Sequence, residues 1–337
     1  MRLNSSAPMV RYSKLPFRHL ASLYNCHITH TPMILAAEFS RSANARLTDF
    51  STSSLERGSF LLQEKGGPPS TLAQLDEAPN ELGAVKKARQ KRVRGALIAQ
   101  FAASEPGHFA DAVELIRPHV DGVDLNCGCP QGWAYQEQIG CWLLRHPDKI
   151  ADIIRAAKNR VESSFPISIK IRVDPDLKIT EQLIQTAIHA GVSHITVHGR
   201  TRHQVSTQPV SLSSIAFAVS AAKGAVPVVA NGDAWDMNEV NKIRKETRAD
   251  GVMSARGLLA NPALFSGYDV TPPETIRNFV RISTDYGLLF PLFHRHLSFI
   301  LESQLSRHER ADFNSLASYA GIIDYLEARD PTITQFT

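Results

Sequence analysis

The clearest structural unit of the chain begins with Ile167-Ser168-Ile169-Lys170-Ile171-Arg172-Val173, where isoleucines alternate with polar residues. Because successive side chains of a strand point to opposite faces, this alternation predicts a strand with Lys170 on the face opposite the isoleucines. A helix pattern follows over residues 181–190, with Thr180 as its expected N-cap and Gly191 just past its end. A strand followed by a helix is the repeating unit of parallel sheets.

Seven further β-rich runs have the same form. Each ends in a polar or glycine-containing turn and precedes a helix-like segment, and together they cover residues 6–10, 27–31, 95–101, 122–126, 194–198, 227–231 and 251–254. Ser104 and Asp236 are the expected N-caps of helices over residues 105–118 and 237–247. Eight such units match the usual size of a (β/α)8 TIM barrel, about 250 residues.

The competing architecture is an open, doubly wound sheet, which normally carries G-x-G-x-x-G after its first strand. No such run occurs in the sequence. We therefore predict the α/β class and, within it, a (β/α)8 TIM barrel.

The predicted barrel covers residues 1–268 and contains an insertion around residues 40–94, because the chain between Thr31 and Gly95 is much longer than one crossover helix requires. The insertion includes a run with six basic residues at 86–94. Thr271-Pro272-Pro273 ends the strand–helix pattern, and apolar residues then recur at three- and four-residue spacing. We predict an α-helical appendix over residues 269–337.

Composition narrows the class of protein. Hydrophobic residues make up 43% of the 337 residues and the net charge is +4, values that indicate a globular chain for which a polyanionic partner is permitted but not required. We expect a soluble protein of the cytoplasm or nucleus, because no apolar stretch reaches the roughly 20 residues of a membrane span. Only four cysteines occur, in spacings that suit neither a disulfide framework nor a zinc site, and no metal is expected.

Polar residues are concentrated where the predicted strands end. The active site of a TIM barrel lies at the C-terminal ends of its strands, so these residues are expected to share one mouth. They are Gln100, Asn126 with Cys127-Gly128-Cys129-Pro130, Lys170 with Arg172, His198-Gly199-Arg200, Asn231-Gly232-Asp233 and Ser254-Ala255-Arg256-Gly257.

Three features of this mouth suggest catalytic or ligand-binding roles. A Lys170 ammonium inside the barrel needs an anionic or strongly polar partner, although a structural ion pair is an alternative. The glycine-containing loops after strands 7 and 8, with Arg256, fit a phosphate site, or are simply tight turns. Cys129 suits a nucleophile or a proton donor, whereas Cys127 and Cys141 are consistent with small buried hydrophobic residues.

Together these motifs resemble the tRNA-dihydrouridine synthase family. Residues 123–130, followed ten residues later by Gly140-Cys141, are similar to the family signature around its catalytic cysteine. Other matching motifs follow in the family's order: Ala7-Pro8-Met9-Val10, Lys170-Ile171-Arg172, Val197-His198-Gly199-Arg200-Thr201, Asn231-Gly232-Asp233 and residues 255–262. The residues of these motifs are most similar to those of the eukaryotic type that reduces uridines 20a and 20b in the D-loop of tRNA.

The resemblance implies a flavin mononucleotide (FMN) in the barrel, with NADPH or NADH as electron donor. Pro8, Met9 and Val10 would line the isoalloxazine, and Gln100 and Lys170 would bind its polar edge. The ribityl phosphate end would be held by His198, Asn231, Gly232, Asp233, Ala255 and Arg256.

The same resemblance implies an oxidoreductase that reduces the C5–C6 bond of uracil, with hydride arriving at C6 and Cys129 protonating C5. Asn126 would position the base, with Arg200 and Arg202 as further substrate residues. The uridine must be turned out of the tRNA loop to reach the site. We expect a monomer.

Binding of tRNA requires positive charge outside the pocket. The helical appendix, with Arg277, Arg281, Arg295, Arg307 and Arg310, is the favoured surface over residues 86–94. Trp133 and Tyr135 either stack on a flipped base or anchor the cysteine loop.

Two other functions stay open: a lyase with Lys170 as Schiff-base nucleophile, and a non-catalytic tRNA-binding protein.

Overall fold

Eight parallel strands hydrogen-bond into a closed ring in the computed structural model, which describes residues 3–63 and 90–334. Neighbours in the chain are neighbours in the ring, and pairing of Ile28 with Ala96 closes it between the second and third strands. The (β/α)8 TIM barrel is therefore confirmed. The strands are β1 (Leu3–Ser6), β2 (Ile28–His30), β3 (Ala96–Ala102), β4 (Gly122–Cys127), β5 (Ile167–Arg172), β6 (Ile195–His198), β7 (Val228–Asn231) and β8 (Gly251–Ser254).

The first strand lies earlier than the predicted residues 6–10, so that prediction is wrong in its bounds. Pro8 has no N–H to donate to a ladder, and the chain turns immediately after it. Ser13 stabilises the turn, since its hydroxyl donates to the Ala7 carbonyl at 2.9 Å and accepts from the Met9 N–H at 3.0 Å. Residues 8–10 thus form a loop at the end of β1.

Helices cover the outside of the barrel. They are α1 (Leu15–Ser22), α2 (Ala36–Arg41), α3 (Ala43–Asp49), α4 (Pro106–Ile116), α5 (Gly132–Gln136), α6 (Pro147–Lys158), α7 (Leu177–Ala190), α8 (Leu212–Ala221), α9 (Met237–Thr247) and α10 (Arg256–Ala260). Aliphatic residues of the strands pack against the inner faces of these helices in one large core, to which α3 and α5 contribute no buried residue.

Two of the three predicted N-caps are wrong. Asp176 caps α7, and Thr180 lies inside that helix, where its hydroxyl accepts from the Asp174 N–H at 2.9 Å. Glu105 occupies the N-cap of α4 without a side-chain bond, so Ser104 does not cap it. Asp236 is confirmed as the N-cap of α9, accepting from the Glu239 N–H at 2.8 Å, and Gly191 ends α7 with a φ of 95°.

The insertion between β2 and β3 contains α2, α3 and two short pieces of sheet. Ile34–Leu35 pairs with the end of β3, and Ser59–Gln63 forms an antiparallel pair with Gln90–Arg94. Of the basic run at 86–94, only residues 90–94 are among the described ones.

Four α-helices follow the barrel within described residues 269–334, as the spacing predicts: α11 (Pro273–Asp285), α12 (Phe290–Leu301), α13 (Arg307–Ser315) and α14 (Tyr319–Arg329). Their apolar faces form a second core that includes Leu20 of α1. His296 of α12 stacks on Phe17 of α1, with 5.2 Å between ring centroids. The appendix therefore packs on the barrel through α1.

Within residues 3–63 and 90–334, none of the helices combines the length and apolar character that crossing a bilayer requires. The same residues contain no group of three or more His, Cys, Asp or Glu side chains arranged to hold a metal ion.

A buried ion pair joins α1 to the insertion. Arg18 Nε donates to Glu56 Oε2 at 2.6 Å, and the two side chains are 2% and 0% exposed. The guanidinium also donates to the carbonyls of Ser13 and Ser51. Removal of one partner leaves the other charge buried and uncompensated.

We expect Glu56→Ala to lower the free energy of unfolding by about 3–5 kcal/mol, because the Arg18 guanidinium is left without its carboxylate. Urea unfolding followed by circular dichroism measures the change. The matched control is Glu114→Ala, which removes a carboxylate from an exposed pair with Arg160 and is expected to cost less than about 1 kcal/mol. Equal losses in both variants would contradict the prediction.

Candidate active site

The loop after β4 carries the half-exposed Cys129. Its conformation is fixed from two sides. Asn126 Oδ1 accepts hydrogen bonds from the backbone N–H groups of Gly128 at 3.0 Å and Cys129 at 2.9 Å, and the Cys141 N–H donates to the Cys129 carbonyl at 2.9 Å. Gly140 has a φ of 62°, and a Cβ there would lie 2.7 Å from the Cys129 carbonyl oxygen. The loop therefore requires glycine at that position.

The other cysteines near this loop are buried. Burial raises the pKa of the Cys141 thiol to about 12 and raises the pKa of Cys127 well above its usual value. Both stay neutral thiols and pack in the barrel core. Cys129 is thus the one of the four cysteines, all within the described residues, that is accessible at the mouth.

Beneath the loop lies a buried polar chain that starts at Asp124. Gln100 Nε2 donates to Asp124 Oδ2 at 2.8 Å, and Asn126 Nδ2 donates to Gln100 Oε1 at 2.8 Å. Ser168 Oγ donates to the second Asp124 oxygen at 2.7 Å. Burial raises the pKa of Asp124 to about 6. Asp124 is not among the site residues predicted from the sequence; its position two residues before Asn126, on the same face of β4, was the available signal.

Lys170 lies beside Asn126 in the paired strands β5 and β4. Burial lowers the pKa of its ammonium to about 8, against an opposing effect of the Asp124 carboxylate. No hydrogen bond to Lys170 Nζ is formed by the residues that the structure describes. The ammonium is therefore available to a ligand in the mouth.

A pocket between the loops after β6, β7 and β8 has about 430 Å³ of empty space, its open entrance included. His198, Arg200, Asn231, Asp233 and Arg256 are among its lining residues. Both Nη atoms of Arg200 donate to Asp233, one at 3.0 Å, and Arg256 Nη2 donates to the same carboxylate at 2.6 Å. Two guanidinium groups share one carboxylate, which leaves the pocket positively charged.

His198 is neutral in this environment. Its pKa is lowered to about 2, first by burial and then by repulsion from Lys170, Arg172, Arg200 and Arg256. A neutral imidazole can still donate one hydrogen bond and accept another.

The remaining predicted residues lie at the same rim. Met9 and Ala255 pack on one small cluster with Ala7, Val229 and Met253, which places the loops after β1 and β8 side by side. Pro8 is half-buried and Val10 is exposed. Gly232 and Ala255 line the cationic pocket.

Arg200 and Arg202 are separated by the structure. Arg200 is buried in the cationic pocket, whereas the Arg202 guanidinium lies 3.4 Å from the centroid of the Tyr135 ring, beside the cysteine loop. Arg172 links the two regions, since it donates to the carbonyls of Gly128 at 3.1 Å and Thr201 at 2.7 Å. Trp133 is exposed.

Similar proteins from human and two yeasts are all named as tRNA-dihydrouridine(20a/20b) synthases or synthase-like proteins. The human protein named "tRNA-dihydrouridine(20a/20b) synthase [NAD(P)+]-like" is 40% identical over 95% of this chain and 88% of its own. The Schizosaccharomyces pombe tRNA-dihydrouridine(20a/20b) synthase [NAD(P)+] is 39% identical over 96% and 86%, and the Saccharomyces cerevisiae protein of the same name is 35% identical over 95% and 78%. The family model for dihydrouridine synthase (Dus) matches residues 5–317. With that match over nearly the whole chain and a half-exposed cysteine beside a cationic barrel mouth, the chain belongs to the dihydrouridine synthase family.

Proposed function

We propose that this protein is an FMN-dependent tRNA-dihydrouridine synthase that reduces the C5–C6 bond of uridines 20a and 20b with NAD(P)H. The observation that carries the proposal is that Cys129, the Lys170 ammonium and the cationic pocket share one barrel mouth. The names of the relatives supply the substrate positions and the electron donor.

The residues of the mouth fit FMN. The pocket after β7 and β8 is positively charged, as a phosphate requires, and its walls are closely packed, since a Cβ on Gly257 would lie 2.1 Å from the Ala234 carbonyl oxygen. Arg256, His198, Asn231, Gly232 and Ala255 would hold the ribityl phosphate end, with Asp233 orienting the arginines.

The ring end of the cofactor would lie nearer the barrel axis. Lys170 and Gln100 would bind its polar edge and Pro8, Met9 and Val10 its flat face. When bound, the flavin supplies the hydride for C6 of uracil.

Cys129 would protonate C5 from the other side of the base. A general acid must be within hydrogen-bond reach of its acceptor, and Cys129 is half-exposed whereas Cys127 and Cys141 are buried. The Asn126 oxygen is already used by the cysteine loop, and one Nδ2 hydrogen is used by Gln100. Asn126 would therefore position the base by donating its second Nδ2 hydrogen to a uracil carbonyl.

The tRNA would contact both the mouth and the appendix. Arg202 on Tyr135 forms a cationic surface next to the cysteine loop, and Arg200 would act on the substrate only through the pocket in which it is buried. Of the appendix arginines, Arg281, Arg295 and Arg307 are exposed, whereas Arg277 donates to the Thr332 carbonyl and Arg310 lines a groove with Arg295. We propose that the protein acts as a monomer in the cytoplasm or nucleus.

Two alternatives are less well supported. A Schiff-base lyase would use a lysine with a lowered pKa, which Lys170 has, but it leaves the half-exposed cysteine without a role. A non-catalytic tRNA-binding protein leaves Lys170 and the cationic pocket unexplained. A flavin absorption spectrum of the purified protein, together with absence of borohydride trapping of a carbonyl compound on Lys170, would exclude both.

We expect Cys129→Ala to slow dihydrouridine formation by about 10²- to 10⁴-fold, because the general acid is lost, with the flavin content unchanged. Dihydrouridine at positions 20a and 20b is measured in unmodified tRNA incubated with NADPH. Cys26→Ala, which removes a buried thiol elsewhere in the core, is the matched control and should keep the wild-type rate. A Cys129→Ala enzyme with more than a tenth of that rate would contradict the assignment.

We expect Arg256→Ala to raise the Kd for FMN roughly 10- to 100-fold, because it removes a charge-assisted contact worth about 1.5–3 kcal/mol. Titration of apoprotein with FMN, followed by flavin fluorescence, measures the Kd. Lys245→Ala removes the same charge from the exposed side of α9 and should leave the Kd unchanged. An unaltered Kd in Arg256→Ala would place the phosphate elsewhere.

A further inference from the structure

We propose that Asp124 is a positioning residue for the reaction at Cys129, because its carboxylate sets the orientation of Gln100 and, through it, of Asn126, whose amide holds the cysteine loop. The inference rests on the proposed function, since it assigns a role to a residue of the same site. Asp124 itself is 1% exposed and lies below the loop.

Hydrogen-bonding rules leave each amide of the chain only one orientation, starting from Asp124. An ionised carboxylate accepts hydrogen bonds and donates none. The Gln100 atom that lies 2.8 Å from Asp124 must therefore be the amide nitrogen, and Gln100 must turn its oxygen to the other side.

The second amide is oriented in the same way. The Gln100 oxygen lies 2.8 Å from Asn126, which must present its nitrogen there. Its oxygen then faces the loop, where the N–H groups of Gly128 and Cys129 require an acceptor at 3.0 and 2.9 Å. Asp124, Gln100 and Asn126 thus form one chain of hydrogen bonds in which every donor points toward the carboxylate, starting from the backbone N–H of Cys129. This common direction is the polarity of the chain.

Burial makes this polarity dependent on Asp124. Gln100 is 0% exposed and Asn126 9%, so water has little access to a reversed amide. With Asn126 reversed, its NH2 group would face two backbone N–H groups, and buried unpaired donors cost about 1–3 kcal/mol each. The loop would move to relieve them, and displacement of a catalytic group by about 1 Å can cost 10²-fold in rate.

Ser168 and Lys170 also interact with the Asp124 carboxylate. Ser168 donates to the other Asp124 oxygen at 2.7 Å, and Lys170 exerts a favourable Coulomb attraction on the carboxylate. The Ser168 bond does not lie on the path to Cys129. Ser168→Ala therefore serves as a matched control that removes a hydrogen bond from Asp124 and leaves the chain to the loop intact.

We expect Asp124→Asn to lower kcat for dihydrouridine formation roughly 10- to 100-fold, with KM for tRNA and flavin content within twofold of wild type. An asparagine can present either a donor or an acceptor to Gln100, so position 124 no longer imposes the polarity. Ser168→Ala should change kcat less than threefold. Equal effects of the two variants would overturn the proposal.

The double variant Asp124→Asn/Gln100→Glu tests the polarity directly. The carboxylate introduced at position 100 can accept from Asn126 Nδ2 and from the amide introduced at position 124, whose oxygen can in turn accept from Ser168. Every bond of the chain is then restored, with the carboxylate moved by one position. Because Gln100 is also proposed to bind the flavin, kcat is compared per bound flavin, and we expect it to recover at least fivefold relative to Asp124→Asn. The double variant also decides the case in which Asp124→Asn does not fold, because it should then fold and turn over; if it recovers nothing, the proposal is wrong.

The rate at which iodoacetamide alkylates Cys129 reports on the conformation of the cysteine loop independently of dihydrouridine formation. Asp124→Asn should change the alkylation rate at least threefold, and the double variant should return it to within twofold of wild type. If wild-type protein forms no dihydrouridine, the proposed function fails while these rates still test the role of Asp124. Unchanged alkylation in Asp124→Asn would reject that role alone.

Discussion

Closure of the barrel between β2 and β3 is the constraint on which the site depends. Ile28, Thr29 and His30 pair in parallel with Ala96, Leu97 and Ile98, and this pairing joins the two ends of an eight-stranded sheet. In a closed ring of parallel strands all C-terminal ends share one rim. Residues separated by more than two hundred positions therefore meet, as Met9 and Ala255 do on one cluster. In an open sheet the loops after β2 and β3 would lie at opposite edges.

The same closure explains why three ionisable groups at the rim, Lys170, His198 and Asp124, are shifted toward their neutral forms. Burial is the largest cause of the lowered pKa of Lys170, of the lowered pKa of His198 and of the raised pKa of Asp124. At neutral pH the values of about 8, 2 and 6 still leave Lys170 mainly charged, His198 neutral and Asp124 mainly ionised. The rim therefore combines fixed positive charge with a neutral donor and acceptor, while the deep carboxylate of Asp124 is held by hydrogen bonds.

Sequence patterns predicted the features that depend on near neighbours and missed those that depend on strand register. Alternation in residues 167–173 and the N-cap at Asp236 were confirmed, whereas the cap at Thr180 was wrong because Asp176 competes for the same helix end. Asp124 stands in an apolar strand, and nothing local indicates that Gln100, from the preceding strand, donates to it. Motif spacing thus located the rim, and only the pairing of the strands determined which polar groups meet there.

Asp233 illustrates how a carboxylate can serve the anion site proposed here. Alone it would repel a phosphate, yet it accepts hydrogen bonds from Arg200 and Arg256 together. One negative charge between two guanidinium groups leaves one positive charge in excess and holds both planes in place, which lowers the ordering cost of binding. The ring of Trp235 packs on Arg256 from another side, with its centroid 5.0 Å from the guanidinium carbon. The pocket is therefore ordered by its own ion pairs and does not depend on an anion to assemble it.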